Sequence, residues 1–194
     1  MTLQIAFLIC TYLISSIPFG LLLSKIFSKK DIREYGSKNI GATNVTRILG
    51  KKLGLATLIL DGIKGASMIL LADYTFSNSD NLHYFLILVA AIAILGHIFP
   101  IYLKFKGGKG VATTIAVFIA LNPMIGILVS LSWIIVFLIF RVSAIASLAS
   151  IFVTIPLSYF FSSDFQFYFC IMLFLLITYR HKDNISRLKK GERK

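Results

Sequence analysis

Long apolar runs with few charges constrain this chain more than any other feature of its sequence. They cover residues 3–26, 53–72, 83–103, 124–140, 142–161 and 165–179, with a shorter run at 111–121. An α-helix rises about 1.5 Å per residue, so most of the runs can cross the roughly 30 Å hydrocarbon core of a bilayer. With 57% hydrophobic and 14% charged residues, the chain is too apolar for a cytosolic, disordered or fibrous protein. The sequence therefore predicts an all-α integral membrane protein.

The charges are strongly positive but unevenly placed. There are 20 Lys and Arg residues and 8 Asp and Glu residues, which gives a net charge of +12. The Lys and Arg residues cluster in short stretches between long uncharged runs. Such clustering is typical of the loops of membrane proteins, so no nucleic-acid partner is expected.

Cys10 and Cys170 both lie in apolar runs and offer neither a disulfide framework nor a C-x-x-C metal site. The first run lacks the basic start and the A-x-A site of a signal peptide, so we interpret it as a retained span.

Loop charge indicates how the runs cross the membrane, because Lys and Arg beside spans stay in the cytoplasm. Seven spans starting from an outside N-terminus place every basic loop on one side: 29–52, 104–109, Arg141 and the tail 180–194. If the short run at 111–121 does not cross, a later basic loop moves to the other side of the membrane and the basic loops no longer share one side. The sequence predicts a bundle of seven transmembrane helices, N-terminus outside and C-terminus cytoplasmic, in a single domain over residues 1–194.

Glycine is concentrated where the basic loops are. Ten of the thirteen glycines fall in two windows, residues 36–65 and 96–110. Glycine lets backbone N–H groups turn toward an anion without an intervening side chain. The first window contains GSKNIGATNVTR at 36–47, and the second contains KFKGGKGVAT at 104–113, directly before a helical run. A helix N-terminus also favours anions, so both windows indicate phosphate-binding loops, although neither has the spacing of a nucleotide-hydrolysing P-loop.

These motifs resemble the acyl-phosphate-dependent glycerol-3-phosphate acyltransferases, small bacterial membrane enzymes that begin phospholipid synthesis. The resemblance covers nearly the whole chain and is carried by SIPFG at 16–20, GSKNIGATN at 36–44, LDGIKG at 60–65, GHIFP at 96–100, FKGGKGVAT at 105–113, Ser147 and YRHKDNISRL at 179–188. Lys38 stands where many members have glycine, and RVSAIAS at 141–147 departs from the family in its middle positions.

The resemblance implies transfer of a fatty acyl group from acyl phosphate to the sn-1 hydroxyl of glycerol 3-phosphate, giving lysophosphatidic acid and phosphate. It also implies a bacterial inner-membrane protein whose active site faces the cytoplasm. Acyl phosphate is a mixed anhydride that arrives activated, so no metal, cofactor or covalent nucleophile is expected. The chain has to hold two phosphates close together and stabilise the charge that develops during transfer. We expect donors for the acyl phosphate in the first glycine loop: Ser37, Gly41, Thr43 and Asn44.

For glycerol 3-phosphate we expect Arg47 and Lys109 to clamp the phosphate, as a planar fork and a compact charge. Ser147 is a further candidate, although a serine in a membrane helix is more often a packing or hydrogen-bonding residue. His181 and Asn184 lie three residues apart and share a face if the last helix continues, so both can approach the attacking hydroxyl. With Ser37 they form the expected catalytic set. Either His181 or the phosphate dianion accepts the proton.

Other residues are expected to support the site. Asn39, His97 and the pair Gly107 and Gly108 belong to the loops or flank them. Asp61 and Lys64 lie three apart inside the second apolar run, where an unpaired charge is costly, so we expect them to pair and anchor helices.

Three other functional classes fit the sequence less well. Acyltransferases of the soluble-domain type need an aspartate five residues after a histidine, and no histidine here has one. The aspartate-rich signature of membrane CDP-alcohol transferases is also absent from the sequence. A small anion or phosphate transporter is the alternative from another functional class, but a transport path needs polar residues across the whole membrane. In this sequence the polar residues lie mostly at the cytoplasmic ends of the spans. The basic tail can bind anionic membrane lipids under any of these functions.

Overall fold

The structure is a computed structural model that describes residues 1–191, so the last three residues of the basic tail lie outside the described part. The described chain is helical, as the sequence predicts. Its helices are α1 (Thr2–Ser15), α2 (Phe19–Ser28), α3 (Ala42–Leu49), α4 (Lys51–Thr75), α5 (Leu82–Ile98), α6 (Val111–Leu121), α7 (Pro123–Phe140), α8 (Ser143–Phe161), α9 (Asp164–Arg180) and α10 (Lys182–Lys189). Short 3-10 turns at Ile32–Glu34 and Ile101–Leu103 precede the two glycine loops.

Within residues 1–191, five segments are long and apolar enough to cross a membrane by length and composition. They are Thr2–Ser28, Lys51–Thr75, Leu82–Leu103, Pro123–Phe140 and Ser143–Phe161. Many large apolar side chains on these segments are exposed, as a lipid-facing surface requires. The expected membrane class is confirmed, while the count of seven spans stays a prediction.

The helices group into two compact units, residues 1–121 and residues 122–194. In the first unit α4 packs against α1, α2, α3, α5 and α6, which makes it the central helix. In the second unit α8 packs against both α7 and α9. The expectation of a single domain over the whole chain stays a prediction.

The first apolar run is broken, where we expected one helix over 3–26. α1 ends at Ser15 and α2 begins at Phe19, with Pro18 between them. Proline has no N–H and disfavours helical conformation in the residue before it, so Ile17 leaves the helix. The Ile17 carbonyl instead accepts a hydrogen bond from Lys64 Nζ at 2.7 Å. A charged donor on another helix thus satisfies a backbone group at the break.

The same ammonium makes the expected ion pair. Lys64 Nζ lies 2.8 Å from Asp61 Oδ1, and each of the two side chains is 3% exposed. A charge within a membrane protein is tolerated when it is paired and hydrogen-bonded. The pairing of Asp61 with Lys64 is therefore confirmed, and it ties α4 to the break between α1 and α2.

Helix α6 begins about halfway along α4. Thr113 Oγ1, in the first turn of α6, donates to the Asp61 carbonyl at 2.9 Å. Asp61 is ten residues beyond Lys51, the first residue of α4, which is about 15 Å along the helix. The 11 residues of α6 extend about 16 Å, roughly half of the hydrocarbon core. The glycine loop before α6 therefore lies beside the middle of α4, where irregular backbone has to be surrounded by protein or water.

Lys64→Met tests whether the buried ion pair holds this arrangement. The substitution leaves a buried carboxylate without its ammonium, so we expect a loss of about 3 kcal/mol or more, and a thermal midpoint in detergent lower by about 6 °C or more. Lys51→Met, at the exposed start of the same helix, is the control and should shift the midpoint little. The double variant Asp61→Asn with Lys64→Met should recover part of the loss. An unchanged midpoint for Lys64→Met alone contradicts this account.

Candidate active site

One asparagine organises the first glycine loop. Asn44 is 1% exposed, and its Nδ2 donates to the carbonyls of Ile32 at 3.2 Å, Tyr35 at 3.1 Å and Asn39 at 2.8 Å. Its Oδ1 accepts from the backbone N–H of Ser37 at 2.9 Å. A side-chain amide has two N–H donors and one carbonyl oxygen, and all of them are engaged within the loop.

This geometry corrects the role expected for Asn44. We expected its amide to donate to the acyl phosphate, but its hydrogens are committed to loop carbonyls. Asn39 also acts inside the loop, since its Oδ1 accepts from the backbone N–H of Gly41 at 2.9 Å. The two asparagines therefore shape the loop. Ser37 is half-buried and Thr43 is exposed, on either side of Gly41.

A small apolar core lies beneath this loop. Leu21, Ile32, Ile40 and Val45 are buried together, from α2, the 3-10 turn, the loop and α3. Gly20 permits the contact, because a Cβ there would meet the carbonyl oxygen of Ile40. The glycine that ends SIPFG thus lets the first loop pack onto α2.

The segment that enters the loop carries a charge pair. Asp31 accepts from the backbone N–H of Arg33 at 3.0 Å and from its guanidinium at 2.9 and 2.6 Å. The hydrogen bonds from the Arg33 side chain lower the pKa of Asp31 to about 2. The carboxylate is thus charged throughout the neutral range and caps the 3-10 turn.

The second glycine loop is fastened to the end of α5. The backbone N–H of Gly107 donates to the Ile98 carbonyl at 3.2 Å, and that of Gly108 donates to the His97 carbonyl at 3.1 Å. Gly108 also lies against the His97 ring, because a Cβ at this position would meet Nε2. His97 Nδ1 is 3.6 Å from Asp61 Oδ1. His97 therefore contacts the loop through its ring and its carbonyl, and it connects the loop to the ion pair of α4.

The basic side chains differ in exposure. Lys104 and Lys106 are exposed, whereas Lys109 is half-buried between the buried glycines of the loop. Arg47 is exposed in the last turn of α3. Within residues 1–191, no group of three or more His, Cys, Asp or Glu side chains is arranged to hold a metal ion.

In the second unit, His181 lies at the junction of two helices. It is the C-cap of α9 and the residue before α10, so the last helix does not simply continue through it, as the shared-face argument required. Its Nδ1 is 2.8 Å from the Ile177 carbonyl, which can only accept a hydrogen. In the neutral ring the hydrogen is therefore assigned to Nδ1 and the lone pair to Nε2. Asn184 is half-buried in the first turn of α10.

Ser147, also in the second unit, is 4% exposed on α8. Its Oγ donates to the Ser143 carbonyl at 2.7 Å and accepts from Trp133 Nε1 at 3.2 Å. The sequence argument singled out Ser147 but not the indole that reaches it. The signal available was a single tryptophan in an apolar helix, whose N–H needs an acceptor there.

A tyrosine was also missed. Tyr12 on α1 donates its hydroxyl to the Phe99 carbonyl at 2.6 Å, just before Pro100 and the second glycine loop. Because its acceptor is a backbone carbonyl far away in the chain, no residue pattern points to the contact.

These features define an all-helical integral membrane protein whose glycine-rich basic loops are braced by buried polar side chains. The family model for glycerol-3-phosphate acyltransferase matches residues 5–191. A glycerol-3-phosphate acyltransferase of Pelagibacter ubique is 42% identical over 94% of this chain and 92% of its own length. One from Wolbachia pipientis is 44% identical over 96% of each chain.

Solved structures agree. A crystal structure of PlsY (YgiH), an integral membrane glycerol 3-phosphate acyltransferase, in its glycerol 3-phosphate form has a TM-score of 0.90 at 35% identity and covers 98% of this chain and 94% of its own. The lysophosphatidic acid form has a TM-score of 0.87 over the same coverage. The chain belongs to the glycerol-3-phosphate acyltransferase family.

Gly108→Ala tests the contact between the second loop and His97. The added methyl collides with a buried ring that has little room to move, so we expect a lower thermal midpoint and loss of activity. Gly41→Ala is the matched control for stability. At Gly41 the backbone φ is −76° and the nearest atom to a Cβ is 3.5 Å away, so the midpoint should hold. Equal midpoints for the two variants would falsify the bracing contact.

Lys38→Gly separates backbone strain from charge. Lys38 has a φ of +58°, a left-handed conformation that glycine adopts freely, which explains why glycine suits this position. We expect the variant to be more stable by about 1 kcal/mol in thermal unfolding. Losing a positive charge beside an anion site should raise the KM for anionic substrates by about twofold. If the KM of Lys38→Gly for anionic substrates does not change, the charge of Lys38 serves membrane topology and not substrate binding.

Proposed function

We propose that the chain transfers a fatty acyl group from acyl phosphate to the sn-1 hydroxyl of glycerol 3-phosphate, releasing lysophosphatidic acid and inorganic phosphate. The observation that carries the proposal is the family match over residues 5–191. The relatives named glycerol-3-phosphate acyltransferase, and the PlsY structures in glycerol 3-phosphate and lysophosphatidic acid forms, support the acceptor and product. Acyl phosphate as donor is supported by the two glycine loops with their basic residues.

The reaction is a direct acyl transfer. The sn-1 oxygen attacks the carbonyl carbon of the acyl phosphate, a C–O ester bond forms, and the bond from that carbon to the phosphate oxygen breaks. The hydroxyl proton passes to a base, and the phosphate leaves with the electron pair of the broken bond. Negative charge grows on the carbonyl oxygen and on the leaving phosphate, so positioned donors and cations lower the barrier.

The first glycine loop is our proposed acyl-phosphate site. Gly41 is the N-cap of α3, whose N-terminal N–H groups favour an anion, and it adds no side chain beside them. Ser37 and Thr43 add hydroxyl groups on either side. Asn39 and Asn44 act by fixing the backbone that presents these donors.

For the phosphate of glycerol 3-phosphate we propose Arg47 and Lys109, with Ser147 as a further donor. Arg47 is exposed and can make a planar bidentate contact, while Lys109 is a compact charge held by a braced loop. Gly107 and Gly108 supply that bracing through α5.

His181 is our proposed general base. The hydrogen on Nδ1 is directed to the Ile177 carbonyl, so the proton of the attacking hydroxyl would pass to Nε2. Asn184 lies three residues further on, and we propose that it orients the glycerol backbone.

The finer topology is also proposed. We infer seven spans, with α6 and α9 added to the five long segments, an outside N-terminus and a cytoplasmic active site in a bacterial inner membrane. The support is the placement of the basic loops, which all fall on one side in that arrangement. A transporter is not favoured, because the relatives are acyltransferases.

Phosphate release by detergent-purified protein tests the donor. With palmitoyl phosphate, glycerol 3-phosphate and EDTA, we expect equal amounts of phosphate and lysophosphatidic acid, because the anhydride is activated and no metal is needed. Palmitoyl-CoA in a parallel reaction should give no product. If only palmitoyl-CoA supports turnover, the acyl donor is palmitoyl-CoA and not acyl phosphate. If folded protein turns over neither donor, the enzyme assignment is refuted.

Arg47→Ala and Lys109→Ala test the acceptor site. Each removes a charged hydrogen bond to the phosphate, so we expect the KM for glycerol 3-phosphate to rise about tenfold to a hundredfold. The KM for palmitoyl phosphate should change much less. Lys52→Ala, an exposed lysine at the start of α4, is the control for a general charge effect. If Lys52→Ala raises the KM as much, the two residues have no specific role.

A further inference from the structure

The Ser147 hydroxyl donates one hydrogen bond and accepts another, and the two together fix the position of its oxygen. Its hydroxyl hydrogen points to the Ser143 carbonyl, 2.7 Å away on the same helix. Its oxygen accepts from Trp133 Nε1, 3.2 Å away on α7. A hydroxyl has one hydrogen and two lone pairs, so the hydrogen is in use and one lone pair remains.

This state of Ser147 does not yet suit a phosphate. A phosphate dianion carries only acceptor oxygens, so it needs the hydrogen of the hydroxyl and cannot use the remaining lone pair. The hydrogen can move by rotation about the Cβ–Oγ bond, without any displacement of the oxygen. It can then leave the Ser143 carbonyl for a phosphate oxygen, which is a charged and therefore stronger acceptor.

Trp133 is built to keep the oxygen in place during that rotation. Its indole N–H only donates, so it does not compete for the hydroxyl hydrogen. The ring is itself held by Phe137, with ring centroids 5.0 Å apart and an interplanar angle of 15°. Both residues lie on α7, which packs against α8. Donation into the serine oxygen also polarises its O–H bond and makes the hydroxyl a better donor.

We propose that Trp133 is a positioning residue for glycerol 3-phosphate binding. It anchors the Ser147 oxygen while the hydroxyl hydrogen is passed from the Ser143 carbonyl to the substrate phosphate. The proposal rests on the function proposed above for Ser147, and it adds a residue that touches no substrate.

Steady-state kinetics of three variants tests it. Trp133→Phe keeps an aromatic ring against Phe137 but removes the N–H, and we expect the KM for glycerol 3-phosphate to rise about threefold to tenfold. The KM for palmitoyl phosphate should stay within twofold of wild type. Ser147→Ala should raise the same KM at least as much. The double variant should equal Ser147→Ala, because Trp133 acts only through that hydroxyl.

Phe137→Leu is the matched control. It removes the ring stacked on the indole but keeps the indole N–H, so its KM should rise less than that of Trp133→Phe. If Ser147→Ala raises the KM and Trp133→Phe does not, the inference is overturned while the proposed role of Ser147 stands. If Ser147→Ala has no effect, the proposed role fails and the inference fails with it.

Intrinsic tryptophan fluorescence provides a second test, and it does not depend on whether a Trp133 variant folds. Trp133 is the single tryptophan, so the tryptophan emission reports the surroundings of this indole alone. Glycerol 3-phosphate should shift the emission of the wild-type protein and leave that of Ser147→Ala unchanged. An emission that does not respond in the wild type, at substrate concentrations that saturate turnover, overturns the inference.

Discussion

A lysine ammonium inside a membrane helix needs partners, and meeting that need organises the first unit of this protein. Lys64 donates to Asp61 on its own helix and to the Ile17 carbonyl that the proline break exposes. Asp61 in turn lies near His97, whose ring and carbonyl support Gly108. The network therefore runs from a broken helix, through the central helix α4, to the loop proposed to bind phosphate. Because each charge has a partner, the pair can be buried without the cost of an isolated ion.

The depth of the second glycine loop follows from the same network. Thr113 binds the carbonyl of Asp61, so α6 starts beside the middle of α4 and needs only 11 residues. If this loop binds phosphate, as we propose, its recessed position would strengthen the interaction of the phosphate charges with lysine and backbone dipoles relative to water.

Sequence reasoning succeeded where a residue's environment follows from its neighbours in the chain. The apolar runs predicted membrane helices, and the spacing of Asp61 and Lys64 predicted their pairing. It failed where partners come from distant segments. Asn44 has the residue type of a substrate donor, yet its hydrogens go to carbonyls 5 to 12 residues earlier in the chain. Pro18 signals a break, but nothing local to it shows that Lys64 will satisfy the carbonyl exposed there.

We propose that acyl transfer is direct and depends on positioned phosphates and fixed donors instead of a covalent intermediate on the protein. Intact-protein mass spectrometry after incubation with palmitoyl phosphate alone tests it most directly, with a second sample that also contains glycerol 3-phosphate. The account predicts unmodified protein in both samples and lysophosphatidic acid only in the second. A palmitoyl adduct that forms without glycerol 3-phosphate and disappears when it is added would contradict the account.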